Sequence, residues 1–86
     1  MWRISVGEIA ALKEKIAARK YRSMELAGEI DRKIRDIKEA LSGYPLDKIK
    51  NLRLSLVSQL AQETASLQEE YLAILSEITE AEKELV

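Results

Sequence analysis

An all-α hairpin, two long antiparallel helices joined by one tight turn, is the fold this sequence predicts. Three observations point to it. Only 3 Gly and 1 Pro occur in 86 residues, too few to turn a sheet-rich fold. A helix-start signature stands at Ser5, and a stop-and-restart cluster, Ser42-Gly43-Tyr44-Pro45, stands at the middle. On both sides of that cluster apolar residues recur at intervals of three and four. At 9.8 kDa a single small domain over 1–86 is the ceiling.

The first helix is expected over about 6–42. Ser5-Val6-Gly7-Glu8 has the form of a capping box, in which the serine hydroxyl accepts from the Glu8 amide and the carboxylate returns to the Ser5 amide. Ile4 and Ile9 occupy the positions of a hydrophobic staple across that cap. Gly43 suits the left-handed conformation that closes a helix, and Pro45 and Asp47 suit the first turn of the next. With the turn at 43–45, the second helix is expected over about 46–85. Leu52-Arg53-Leu54-Ser55-Leu56 alternates like a strand but is too short and isolated to pair.

The seam between the helices is read as Ile9, Leu12, Ile16, Ala27, Ile30, Ile34, Ile37 and Leu41 on the first helix. On the second it is Leu46, Ile49, Leu52, Leu56, Val57, Leu60, Leu67, Ile74, Ile78, Ala81 and Leu85. From Val57 onward the alternation is coiled-coil-like. Arg19, Lys20, Ser23 and Thr64 interrupt it, and polar seam positions of this kind fix register at some cost in stability.

Each helix also carries a second apolar stripe. Ala10, Ala17, Tyr21, Met24 and Gly28 line up on the first; Leu54, Ala61, Ala65, Tyr71 and Leu72 line up on the second, with Leu75 and Val57 bridging to the seam. A two-helix pair needs only one narrow stripe on each member. The expected association surface is therefore Ala17, Tyr21, Met24, Leu54, Ala61, Ala65, Tyr71 and Leu72, and the expected partner is a second copy, giving a dimeric four-helix bundle. A helical segment of another protein is the competing partner.

Charge divides by half. Residues 1–43 hold 10 Lys/Arg and 7 Asp/Glu, and residues 44–86 hold 4 and 8, so +3 and −4 make the net −1. A turn at Gly43-Tyr44 puts Arg19 level with Glu69 and Arg3 level with Glu84, with the basic segment beside the acidic one. These charges are read as selecting the antiparallel pairing. The segment from Lys13 to Arg22 (Lys13, Lys15, Arg19, Lys20, Arg22) gives the alternative, a nucleic-acid-binding bundle. One aromatic among the basic residues, Tyr21, supports it little.

Little chemistry can be built from this inventory. With 0 His and 0 Cys, zinc fingers, thiol nucleophiles, Ser-His-Asp triads and Glu-x-x-His di-iron bundles are excluded. Glu25/Glu29 and Glu80/Glu84 each put two carboxylates on one helix face, but no second motif joins them, and solvated glutamates are the expected role. No Gly-rich phosphate loop occurs. No catalytic residue, metal or cofactor is expected, and the chain is read as a non-enzymatic interaction module, a small adaptor or chaperone-like protein. Trp2 is either a binding anchor or a lid on the bundle end. The longest uncharged run, Leu54–Gln62, is too short and polar for a membrane span, and residues 1–8 lack the apolar core of a secretory signal. A cytoplasmic protein away from the membrane is expected. No motif points to one family.

Overall fold

The computed structural model describes residues 5–41 and 53–85. Among these the regular structure is all helical: α1 spans Val6–Leu41 and α2 spans Leu54–Glu84. The two pack side by side in a hairpin 69 Å long and 17 by 15 Å across.

α1 starts where its cap requires. The Ser5 hydroxyl accepts from the Glu8 amide at 3.1 Å, and the Ser5 carbonyl accepts from the Ile9 amide at 2.9 Å. This is one arm of the capping box. The return bond from the Ser5 amide to the Glu8 carboxylate is not made among the described residues. Ile4, Gly43, Tyr44, Pro45, Asp47 and the expected first turns of the second helix, Leu46–Leu52, lie outside the described residues, as does Trp2. α2 begins at Leu54, because Arg53 has φ −108° and ψ 66° and its side chain makes no capping bond. At the far end the Leu85 amide closes the helix onto the Glu82 and Lys83 carbonyls.

The register differs from the expected one. Arg19 pairs with Glu77 at 2.9 Å and Lys33 with Glu63 at 2.7 Å. Facing residue numbers therefore add to 96 in both pairs, where a turn at 43–45 would make them add to 87 or 88. Arg19 is level with Glu77 instead of Glu69, and Glu84 lies beside Leu12 and Lys15, far from the level expected from Arg3. Packing explains the shift. In the expected register Leu26 would be level with Gln62; in the observed one it is level with Glu70, with Leu67, Tyr71 and Ile74 around that level. Leu26 is 0% exposed.

The buried set is Ile16, Leu26, Ala40, Leu60, Ile74, Ile78 and Ala81, with Leu12, Leu67, Tyr71 and Leu85 packed against it. On α1 the seam therefore follows Ile9, Leu12, Ile16, Arg19, Ser23, Leu26, Ile30, Lys33, Ile37 and Ala40, a strict alternation of three and four. On α2 it follows Val57, Leu60, Thr64, Leu67, Tyr71, Ile74, Ile78, Ala81 and Leu85. Three expected seam residues move out: Ala27, Ile34 and Leu41 are exposed. Each sits one position after a true seam residue, so about 100° of helix rotation carries it off the interface.

The two hydroxyl-bearing seam residues are satisfied within their own helices. The Ser23 hydroxyl donates to the Lys20 carbonyl at 2.7 Å, and the Thr64 hydroxyl to the Leu60 carbonyl at 2.6 Å. Neither bonds across the seam, so register is held by apolar packing and by the interhelical ion pairs. No buried side-chain polar atom among the described residues lacks a partner. No described helix is long and apolar enough to cross a membrane.

Candidate association surface

An antiparallel pair of helices has two flanks, one on each side of the seam. Ion pairs identify them. Arg22 and Glu70, each one residue before a seam position, meet at 3.2 Å on one flank. Lys20 and Glu82, each one residue after a seam position, meet at 3.6 Å on the other.

The first flank is charged. α2 sets Glu63, Glu70, Glu77 and Glu84 along it at seven-residue intervals, and α1 answers with Lys15 and Arg22 and, from the seam, Arg19 and Lys33. The Lys33–Glu63 pair is the most sheltered of these. Its hydrogen bond holds the Glu63 carboxyl below the usual carboxylate range, helped by the nearby positive charge, and the same bond raises the Lys33 ammonium. Arg22 is held in its charged form first by its hydrogen bond to Glu70, and its guanidinium also lies near Glu25 at 3.7 Å and Glu29 at 3.8 Å. The Glu25/Glu29 pair therefore faces an arginine, and Glu80 faces Lys83 at 3.4 Å. Among the described residues no three carboxylates gather where they could hold a metal ion.

The second flank is apolar. Its inner row is Lys13, Lys20, Ala27, Ile34 and Leu41 on α1 and Leu54, Ala61, Gln68, Leu75 and Glu82 on α2. Its outer row holds Ala10, Ala17 and Met24, then Asp31 and Lys38, on α1, and Ser58, Ala65, Leu72 and Thr79 on α2. Met24 is 72% and Leu54 63% exposed. Of the large hydrophobic side chains exposed among the described residues, all but Val6 and Tyr21 belong to this flank.

Of the expected surface residues, Ala17, Met24, Leu54, Ala61, Ala65 and Leu72 thus share one flank and are exposed. Tyr21 is exposed but lies further round, on the back of α1. Tyr71 is different: it stands seven residues after Thr64 and seven before Ile78, half-buried in the seam and packed on the core. Sequence reasoning missed Ala27, Ile34 and Leu41 as flank residues because it had spent them on the seam. The signal that would have found them is Leu26, whose spacing from Arg19, Lys33 and Ala40 completes the seven-residue rows.

Exposed area adds a quantity. The chain exposes 6935 Å², whereas a compact monomer of 9.8 kDa exposes about 5,200 Å². No protein-family model, curated protein or solved structure matches this chain.

Proposed function

We propose that this hairpin is a non-enzymatic protein–protein interaction module that self-associates through its apolar flank and serves as a small adaptor or chaperone-like protein. The observation that carries the proposal is the one-sided placement of exposed apolar residues: Met24, Ile34, Leu41, Leu54, Leu72 and Leu75 share one flank, opposite a ladder of glutamates. A contiguous apolar strip of this kind marks an interaction site on a water-exposed protein. Area supports a second copy. The excess of about 1,700 Å² over a compact chain, removed from both members of a pair, makes an interface of about 3,400 Å², within the range of permanent homodimers.

The alternative, nucleic-acid binding by the Lys13–Arg22 segment, is weakened by where those charges go. Arg19, Lys20 and Arg22 are each engaged by α2 carboxylates, so less of the basic charge is left for phosphates. Light scattering tests the proposal. Ala61→Glu or Ala65→Glu places a charge in the strip without a partner, and the oligomer's mass and stability should fall together. A variant that keeps the wild-type oligomeric mass would overturn self-association through this flank.

A further inference from the structure

We infer that two copies of this chain pack apolar flank to apolar flank with their chain reversals at the same end, the two-fold axis running along the length of the hairpin. This rests on the self-association proposed above and adds the orientation, which the distribution of residues along the flank determines.

From the reversal toward the open end, the inner row of the flank reads as a sequence of levels. Leu41 is level with Leu54, Ile34 with Ala61, Ala27 with Gln68, Lys20 with Leu75 and Lys13 with Glu82; the Lys20 ammonium reaches past its own level to pair with Glu82 within one chain at 3.6 Å. The outer row sets Met24 level with Leu72. The inner row is therefore apolar toward the reversal and charged toward the open end.

An axis along the hairpin puts α1 of one copy against α2 of the other at equal level, with every neighbouring pair antiparallel, as in an up-down-up-down bundle. Leu41 then meets Leu54 of the second copy, Met24 meets Leu72, and the bulky Ile34 meets the small Ala61. At the open end the two Lys20–Glu82 pairs stack into a ring of four charges alternating in sign. The helices overlap over levels 11–41, about 45 Å at ~1.5 Å per residue.

Turning one copy end for end loses one of these matches in either of two ways. Centred on the hairpin, it sets Lys20 and Lys13 against the Ile34 and Leu41 levels, burying ammonium groups on apolar side chains. Centred on the apolar stretch between Met24 and Leu41, it overlaps only about 26 Å of helix at ~1.5 Å per residue, too short to cover the surface the hairpin exposes in excess. The same-end arrangement keeps full overlap and meets one mismatched level, Lys20 with Leu75, where the Lys20 ammonium is already drawn to Glu82; the end-for-end arrangements set two lysines on apolar levels or lose overlap.

The chain has 0 Cys, so single cysteines can be spin-labelled without a background. Glu14 lies exposed on the back of α1, outside both flanks. Distances between labels at Glu14→Cys, measured by pulsed electron resonance on the dimer, should reflect only the width of the bundle. That is about 25–30 Å from helix diameters of ~10–12 Å. End-for-end packing adds an axial offset of at least about 36 Å at ~1.5 Å per residue, lengthening the distance beyond about 45 Å. The flank itself is tested by Ile34→Glu, which should weaken dimerisation at least ~100-fold, while Glu69→Ala on the back of α2 leaves it unchanged. A dimeric mass with labels beyond about 45 Å (estimated from the ~1.5 Å rise) overturns the orientation and leaves self-association standing. A dimer indifferent to Ile34→Glu overturns the flank, and a mass of 9.8 kDa at high micromolar concentration overturns both.

Discussion

Replacing Leu26 by alanine should be the most damaging single truncation in α1. Leu26 is 0% exposed, while its neighbour Ala27 is open to solvent. The substitution removes three carbons; at ~0.8 kcal/mol for each buried methylene the transfer loss is about 2.4 kcal/mol. The cavity left between two stiff helices adds roughly 24 cal/mol per Å³ that does not collapse, for a total of about 2.7–5 kcal/mol. In a domain of this size 1 kcal/mol moves the thermal midpoint by roughly 4–8 °C, so a fall of at least about 10 °C is expected. Circular dichroism at 222 nm through a thermal ramp reads it, with Val6→Ala at an 85% exposed position as the control that should stay within about 0.5 kcal/mol. A loss below about 1 kcal/mol for Leu26→Ala would mean that the seam does not run through Leu26 and that the register deduced from Arg19–Glu77 and Lys33–Glu63 is wrong.

Three further outcomes follow from the start of α1, a glycine in its middle with open space around it and the sheltered ion pair. Ser5→Ala should lower stability by about 0.5–2 kcal/mol, since the Ser5 hydroxyl accepts from the Glu8 amide; an unchanged thermal midpoint would show that the cap contributes nothing. Gly28→Ala should raise stability by about 0.8–1.0 kcal/mol, because a methyl group there meets nothing within 4 Å; a loss of stability, measured by urea titration, would refute it. Glu63, its carboxyl held low by Lys33, stabilises the fold fully above the ordinary glutamate pKa of ~4.3 and loses that contribution as pH falls through its lowered value. Melting of the wild type should therefore weaken below about pH 4.3, and Glu63→Gln should show a smaller acid-side decline. Identical pH profiles for the two proteins would remove the pair from the set that holds the register.

How far the fold could be read from the sequence depended on the range of the forces involved. The start of α1 is a local matter of Ser5 and Glu8, and the cap hydrogen bond forms where the motif stands. The α2 seam from Val57 to Leu85 was legible except for Tyr71, because apolar residues dominate the rows that include it. On α1 the same pattern is ambiguous. Arg19, Ser23 and Lys33 occupy seam positions, and the parallel row Ala27, Ile34 and Leu41 is as apolar as Leu26 and Ala40, so periodicity alone chose the wrong row. Long Arg and Lys side chains can lie along a seam and still carry their charge to a flanking glutamate, as Arg19 and Lys33 do. The register was the least legible feature. Gly43 and Pro45 announce a turn locally, but facing levels are set by the fit of Leu26 against α2 and by carboxylates thirty or more residues from the cations they pair with. Of the eight residues expected on the association surface, six lie exposed on one flank, because exposure on a helix follows from spacing once the seam is fixed. Tyr71 lies half-buried in the seam, and it was set beside the seam for the reason Leu26 was missed: one step of about 100° separates a seam position from a flank.

The most direct measurement of the central claim is the mass of the wild-type chain by multi-angle light scattering across a dilution series from high to low micromolar concentration. Self-association through the apolar flank predicts twice the 9.8 kDa chain mass at the high end, with no steep loss on adding salt because most of the contact is apolar. A constant 9.8 kDa at every concentration would contradict it.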